Sequence, residues 1–248
     1  MAEGMAPRSL STFQLQLCRF AANRLAMVSS GLLTLIALAC FIGPFGFPFT
    51  GEDADFDSIS APVDFASPHW FGTDDFGRDL LVRVLEGGRV SLSIGFIGAL
   101  TAGGIGILYG AVAGYAGGRT DRVMMRMVEV LYGFPYVILV ILLSLLFGGG
   151  NIALFAAIVF TLWLTPAVIV RAQAQSLSKR EFVEAARAGG MTPWSIVVEH
   201  IVPNCASVVI VYGALLVPEV ILSESFLSFL GIGIKEPQAS WGDRKSVV

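Results

Sequence analysis

The sequence predicts an all-α protein, a polytopic bundle of transmembrane helices. Hydrophobic residues make up 55% of its 248 residues and charged residues only 14%, and the mean hydropathy is +0.74. These values lie beyond those of soluble domains. Several apolar stretches reach about 20 residues, the length of helix that crosses a hydrocarbon core. Nucleic-acid binding is not expected, because the basic residues form no continuous stripe.

Five apolar stretches are long enough to be spans, at about 25–45, 90–116, 128–147, 152–170 and 205–222, and a weakly polar stretch at 223–234 continues the last. We therefore expect five visible spans in a lipid bilayer. The predicted organisation is an N-terminal segment (1–24), a first span (25–47), a polar outer segment (48–89), a membrane core (90–234) and a tail (235–248). Within the core, a polar loop at 176–204 is called here the coupling loop.

Basic residues concentrate in alternate loops, which sets the expected orientation. They are Arg8, Arg19 and Arg24, then Arg119, Arg122 and Arg126, then Arg171, Lys179, Arg180 and Arg187. Loops rich in arginine and lysine stay in the cytoplasm. We expect a multi-pass protein of the cytoplasmic (inner) membrane, with the N-terminus and the coupling loop in the cytoplasm and the outer segment outside.

The coupling loop has the sequence signals of two short helices. Ser178 followed by Glu181 is typical of a capping box at a helix start, and Gly189-Gly190 is typical of a left-handed stop. Thr192 before Pro193 predicts a second start. Small residues and one aromatic share a flank of the first helix, a surface that another protein can approach closely: Phe182, Ala185, Ala186 and Gly189.

Small residues recur every fourth position in the second span: Ala102, Gly106, Gly110, Gly114 and Gly118. This spacing lets helix backbones approach closely in lipid. It can indicate an interface that lines or gates a pathway, or ordinary packing within the chain. The spacing alone favours packing within the chain.

Ionisable residues within the spans mark possible functional positions. Glu129 lies three residues after Arg126, which predicts an ion pair on a helix surface. Glu219 and Glu224 lie late in the fifth span, where acids either line a pathway or are hydrated near the outer surface; the sequence leaves both interpretations open. For His200 we expect a structural hydrogen bond.

Catalytic and metal-binding motifs are missing from the sequence. A nucleotide-binding P-loop needs a lysine directly after glycine, and none of the three lysines has one: Lys179, Lys235 and Lys245. We expect no catalytic residue, no metal site and no cofactor in this chain. If the protein works against a gradient, its energy comes from another subunit or from an ion gradient.

The coupling loop resembles the EAA loop of permease subunits of ABC importers. Glu184-Ala185-Ala186 is followed by Gly190 at the family spacing and later by Pro203, and the ending His200 to Asn204 is similar to the dipeptide/oligopeptide and nickel branch. The outer segment carries that branch's signature in Gly72, Thr73, Asp74, Gly77, Arg78 and Asp79. Gly114 to Gly118, Phe134-Pro135 and Ser223 to Gly231 also agree, and the arrangement resembles the second permease of the pair.

The resemblance implies a complex in which this chain and a sister permease form the pathway for di- or oligopeptides. Two cytoplasmic ATPases bind ATP and Mg²⁺, and an extracytoplasmic binding protein delivers the substrate. It implies that ATPase coupling rests on Phe182, Glu184, Ala185, Ala186, Arg187, Gly190 and Pro193. It also makes the outer segment a surface for the binding protein or the sister permease.

Three alternatives remain at this level: a nickel permease of the same family, a proton-coupled secondary transporter, and a membrane scaffold that recruits a partner through the coupling loop. Repeated halves with acids near mid-bilayer would favour the secondary transporter, and neither feature is clear. Members of the family usually continue into a sixth span, so we expect the tail at 235–248 to end before one.

Overall fold

A computed structural model describes residues 20–234 and 238–242 of the chain, so most of the predicted N-terminal segment and tail lies outside the described residues. The helices are α1 (Arg24–Ile42), a 3₁₀ turn (Gly43–Gly46), α2 (Leu80–Ala116), α3 (Gly118–Tyr132), α4 (Tyr136–Leu146), α5 (Gly150–Leu162), α6 (Leu164–Leu177), α7 (Glu181–Ala188), α8 (Pro193–Ile196), a π-helical turn (Val197–Ile201), α9 (Val202–Asn204) and α10 (Ala206–Phe229). The described part contains no β-strand beyond isolated bridges in the outer segment. The predicted all-α fold class is confirmed.

In the described residues, four helical stretches are long and apolar enough to cross a membrane, or five when a bent pair counts as one. The four are Arg24–Gly46, Leu80–Ala116, Gly150–Leu177 and Ala206–Phe229. The bent pair is α3 and α4, whose axes differ by 96°. The five expected spans are therefore recovered with the bent pair as the third.

The third span is not the continuous helix that we expected over residues 128–147. The chain leaves the helix at Gly133, and α4 begins only after Pro135. Proline has no N–H for a helical hydrogen bond and forces the preceding residue out of the helical region. The helix before the break, α3, buries Met125 and Val128 and exposes Arg119, Arg122 and Arg126. Its basic face explains why hydropathy alone placed the span start too late.

The glycine ladder of α2 packs against α6. A methyl group added to Gly106 would lie 2.6 Å from the carbonyl oxygen of Trp163, and one added to Gly110 would overlap the carbonyl oxygen of Ala167. Gly114 meets the carbonyl oxygen of Arg171 in the same way, 2.5 Å from an added methyl. Packing within the chain, favoured from the spacing, is confirmed for these three glycines. Gly118 is different, because it has a φ of +55°, has open space around it and begins α3.

A cluster of polar side chains joins α3 to α6. The guanidinium of Arg171 donates to both carboxylate oxygens of Asp121, and the amide of Gln175 donates to the same carboxylate at 3.1 Å. Because α6 also packs against the α2 glycines, one helix fixes the positions of both α2 and α3. Helix α6 ends at Leu177, within the first residues of the coupling loop.

Candidate functional site

The start of α7 differs from the predicted capping box. Ser178 is helical and ends α6, and its hydroxyl donates to the carbonyl of Gln175 at 3.0 Å. The N-cap of α7 is instead Arg180, which has the extended backbone that this position requires and makes no side-chain cap. The capping-box prediction is wrong, because a serine at the end of one helix can bond back to it instead of capping the next.

The end of α7 and the start of α8 follow the sequence signals. Gly190 has a φ of +81° and donates its N–H to Arg187, while the N–H of Met191 donates to the carbonyl of Ala186. This pair of bonds is the Schellman motif. Thr192 then accepts a hydrogen bond from the N–H of Ser195 at 3.2 Å, with Pro193 in the first turn. Both predictions are confirmed.

Beyond α8 the helix widens into a π-helical turn before Pro203, which has no N–H to continue the regular ladder. The imidazole Nε2 of His200 lies 3.4 Å from the sulfur of Met191, and the carboxylate of Glu199 accepts from the hydroxyl of Ser195 at 2.6 Å. The expected structural role of His200 is confirmed. It joins the two halves of the coupling loop.

A buried apolar cluster attaches the coupling loop to the membrane helices. Val183, Ile196 and Ile201 are fully buried and pack in one cluster with Ala111 of α2 and Val170 of α6. Packed side chains therefore connect α7 directly to two spans.

The opposite face of α7 is free of contacts within the cluster. Phe182, Glu184 and Ala185 are exposed, whereas Ala186 is half-buried. Arg187 is also exposed, and it lies on the ring of Tyr115, with its guanidinium 4.8 Å from the ring centre and its Nε donating to the hydroxyl at 3.2 Å.

Sequence reasoning missed one exposed aromatic in this loop. Trp194 follows Pro193 in α8 and is 60% exposed. Aromatic side chains that remain in solvent are enriched at protein interfaces. The signal was available, because Trp194 directly follows Pro193 in the first turn of the predicted second helix.

In the outer segment, the signature residues are buried and hold one another. One carboxylate oxygen of Asp74 accepts from the backbone N–H groups of Phe76 and Arg78, both at 2.9 Å, and the other accepts from Arg78 Nε at 2.8 Å. Burial acts to raise the pKa of Asp74, but these hydrogen bonds and the Arg78 charge outweigh it and hold the pKa below its usual value.

A second cluster joins the outer segment to the start of α2. Asp79 caps that helix by accepting from the N–H of Val82 at 2.8 Å, and its other oxygen lies 3.0 Å from Nδ1 of His69. The Nε2 atom of His69 faces the carboxylate of Asp55 at 3.4 Å. This capping explains why α2 begins at Leu80, ten residues before its apolar run.

The two signature glycines have conformations that need glycine. Gly72 and Gly77 have φ of +80° and +76°, and a methyl group on either would overlap a carbonyl oxygen, of Ala61 and of Asp55 respectively. Thr73 also turns inward, donating to the carbonyl of Ser58 and accepting from Ala61. The signature thus builds the fold of the outer segment. The surface available to a partner comes from exposed neighbours: Trp70, Phe71, Asp75 and Phe76.

Acidification is expected to loosen the outer segment. The pKa of Asp74 is lower in the folded state than the value of about 3.9 expected when unfolded. Its stabilising contribution is therefore complete above about pH 4 and is lost as the pH falls through the lowered pKa. Hydrogen bonds from Thr50 also lower the pKa of Asp53. The pKa of Asp55 is lowered as well, chiefly by a hydrogen bond from Ser58. Amide-exchange protection factors for residues 70–79 should hold from pH 7 to 5 and fall below pH 4.

The matched variant for this experiment is Asp74→Asn. It should exchange faster than the wild type at pH 7 and show a smaller further loss on acidification, because the titrating carboxylate is gone. Equal protection of the wild-type segment at pH 3 and pH 7 would contradict the role given to Asp74.

The two acids of α10 have different surroundings. Glu224 is fully buried, accepting from the hydroxyl groups of Ser91 at 3.3 Å and Ser228 at 2.7 Å. Ser91 in turn accepts from the backbone N–H of Trp241 at 3.2 Å. Glu224 therefore belongs to a network within the chain that ties α2, α10 and residues 238–242 together.

Glu219 is exposed on the surface of the chain. It lines a groove between α4 and α10 with a volume of about 420 Å³, together with Tyr136, Pro218 and Ser223. It lies ten residues before the end of α10 at Phe229, or about 15 Å along the helix. That depth favours the pathway interpretation for Glu219 over hydration at the outer surface.

Within 20–234 and 238–242 no group of three histidine, cysteine or acidic side chains is placed to hold a metal ion.

The predicted ion pair between Arg126 and Glu129 is present at 2.9 Å on an exposed helix surface, which confirms its structural character.

Comparison with known families now decides the class of protein. Residues 106–247 match the family described as binding-protein-dependent transport system inner membrane component. The chain belongs to this family. Residues 11–68 also match the N-terminal transmembrane domain of oligopeptide transport permease C. As a family member, the chain is a multi-pass inner-membrane permease component of a transport system.

Named relatives cover most of the chain. The oligopeptide transport system permease protein OppC of Salmonella typhimurium is 52% identical over 224 residues, which cover 90% of this chain and 74% of that protein. The OppC protein of Haemophilus influenzae is 48% identical over 224 residues, 90% of this chain and 72% of that protein. The dipeptide transport system permease protein DppC of Bacillus subtilis is 41% identical over 241 residues, 97% of this chain and 75% of that protein.

Proposed function

We propose that this permease imports di- and oligopeptides as one of two different membrane subunits of an ATP-driven transporter. The observation that carries the proposal is the similarity over nine-tenths of the chain to permeases named for oligopeptide and dipeptide transport. These names favour peptide import over the three alternatives left by the sequence: nickel import, proton-coupled transport and a membrane scaffold. A sister permease completes the pathway, and an extracytoplasmic binding protein delivers the peptide.

Energy enters through the coupling loop. Two cytoplasmic ATPases bind ATP and Mg²⁺, and this chain supplies neither a catalytic residue nor a cofactor. The exposed face of α7, with Phe182, Glu184 and Ala185, seats in a groove on one ATPase. Gly190 and Pro193 set the angle at which α7 and α8 leave the surface. The N-terminus and the coupling loop lie in the cytoplasm, as the basic residues of alternate loops support.

The buried attachments of the loop support a lever mechanism. Closure of the ATPase pair on ATP would displace α7, and the cluster around Val183 and Ile196 would transmit this displacement to α2 and α6. Arg187 on Tyr115 provides a second connection to α2. Rigid transmission requires tight packing between these spans, which the glycines of α2 supply.

The test is uptake by the reconstituted complex. The chain, purified with its sister permease and ATPases and placed in liposomes with the binding protein, should accumulate radiolabelled tri-alanine only when ATP is present. Nickel ions offered at the same concentration should not be accumulated. Uptake of nickel without peptide, or peptide uptake driven by a proton gradient without ATP, would contradict the proposal.

A further inference from the structure

One acidic side chain is exposed near the middle of a helix that is long and apolar enough to cross a membrane. Glu219 lies near the middle of α10, which runs from Ala206 to Phe229, and it is exposed on the surface of the chain. A charged side chain at this depth is costly in lipid and is found facing a bundle interior or a water-filled cavity. The groove beside Glu219 must therefore face the pathway or the sister permease.

The groove contains additional polar chemistry. The hydroxyl-bearing side chains of Tyr136 and Ser223 line it with Glu219, and the remaining lining is apolar, including Leu215 and Phe226. Pro218, which lies within α10, also lines the groove. The carboxylate of Glu219 and the side chains of Tyr136 and Ser223 thus lie on one stretch of groove.

We propose that Glu219 binds the N-terminal ammonium group of a peptide during its passage, an inference that rests on the proposed function. Every unmodified peptide carries this positive group, whatever its side chains. An ammonium offers three N–H donors and no acceptor, which complements a carboxylate supported by neutral oxygen acceptors. The apolar lining suits variable side chains, so a single fixed charge recognises the one feature that different peptides share.

Glu224 and Glu129 do not offer the same chemistry. Glu224 is enclosed and already accepts two serine hydroxyl groups. Glu129 is exposed but paired with Arg126. Glu129 also lines a groove, but that groove contains four arginine side chains, which would repel an ammonium group. Of these three acids, Glu219 is the one that lines a groove without a cationic side chain.

The decisive measurement uses a thiol beside the carboxylate. Ser223→Cys places this thiol one turn after Glu219 in the same groove. The native Cys40 and Cys205 are buried, and Cys18→Ser removes the remaining native thiol. In the assembled permease–ATPase complex without binding protein, N-ethylmaleimide should label this thiol. Tri-alanine should slow labelling about tenfold more than N-acetyl-tri-alanine, which has no ammonium.

Adding Glu219→Gln should abolish the difference between the two peptides, and Glu219→Asp should keep part of it. Equal protection by both peptides with Glu219 intact would overturn the inference, as would a Ser223→Cys thiol that is not labelled in the complex. Failure of Glu219→Gln chains to assemble with the sister permease would also overturn it, because Glu219 would then serve the subunit interface.

Uptake separates this inference from the function on which it rests. With the full system, Glu219→Gln should lower tri-alanine uptake about tenfold, while the control Glu129→Gln should retain wild-type uptake. Wild-type uptake together with undiminished uptake by Glu219→Gln would overturn only the role of Glu219. Absence of peptide uptake by the wild type would overturn the proposed function, and the inference with it.

Discussion

Gly110→Val is expected to lower the melting temperature of the purified chain by about 6–12 °C. The Cβ atom of the new side chain would overlap the carbonyl oxygen of Ala167 and lie 2.9 Å from the backbone N of Arg171. Overpacking costs about 1–3 kcal/mol, and the upper part of that range applies because backbone atoms cannot rotate away. Helices α2 and α6 would have to separate along their whole contact.

The matched control lies on the same helix. Gly104 in α2 has no atom within 4 Å of an added methyl group, so Gly104→Val should shift the melting temperature by less than about 2 °C. Thermal melts of the two variants in one detergent make the comparison. Melting of Gly110→Val at the wild-type temperature would contradict the backbone contact between α2 and α6.

Loss of this contact should also reach the coupling loop. Val170 of α6 and Ala111 of α2 belong to the cluster that holds Val183 and Ile196. Ala111 follows Gly110 in the ladder, and Val170 precedes Arg171, whose backbone N lies near Gly110. The stability of the spans and the attachment of α7 therefore depend on the same packing.

Much of this fold could be predicted from the sequence because its strongest signals are local. Span positions follow from hydropathy, and the close approach of α2 to another helix follows from glycines at a spacing of four. The sequence did not identify α6 as the partner. That assignment depends on contacts between residues about 57 positions apart, such as Gly110 and Ala167.

The misses have physical causes. Gly133 to Pro135 lies inside an otherwise apolar run, and hydropathy does not register the bend that proline imposes there. Ser178 has the right residue type for a helix start but a backbone already committed to α6. The contact of Arg187 with Tyr115, 72 residues earlier, could not be predicted from the sequence either, because it joins two distant helices.

In the candidate site, too, the sequence indicated the residues but not their surroundings. Glu219 and Glu224 are the same residue type, five positions apart in the same helix. Only the packing around α10 shows that one is exposed and the other buried. Ser91, which binds Glu224, lies 133 residues away. The outer signature was recognised as a motif, but its burial, with Asp79 only 1% exposed, required the folded chain. Residue type indicated which groups matter, and tertiary contacts decided what each does.

Glu184→Lys is expected to weaken binding of the proposed ATPase at least about thirtyfold and to reduce ATP-driven peptide uptake accordingly. Glu184 is exposed on α7, and the helix is held in place by Val183, which is fully buried on a different face. Reversal of the charge therefore changes the docking surface and leaves the buried attachment intact. The proposed contact pairs Glu184 with a cationic group of the ATPase, so a lysine at this position adds repulsion to the lost attraction.

The measurement is co-purification of the ATPases with the variant chain, together with the amount of that chain in the membrane fraction. Asp75→Lys is the matched control, because it makes the same charge change at an exposed position in the outer segment. It should insert and retain its ATPases like the wild type. Glu184→Lys should insert normally but lose them, since α7 is the proposed contact. Undiminished association and uptake with Glu184→Lys would place the ATPase contact elsewhere than on the exposed face of α7.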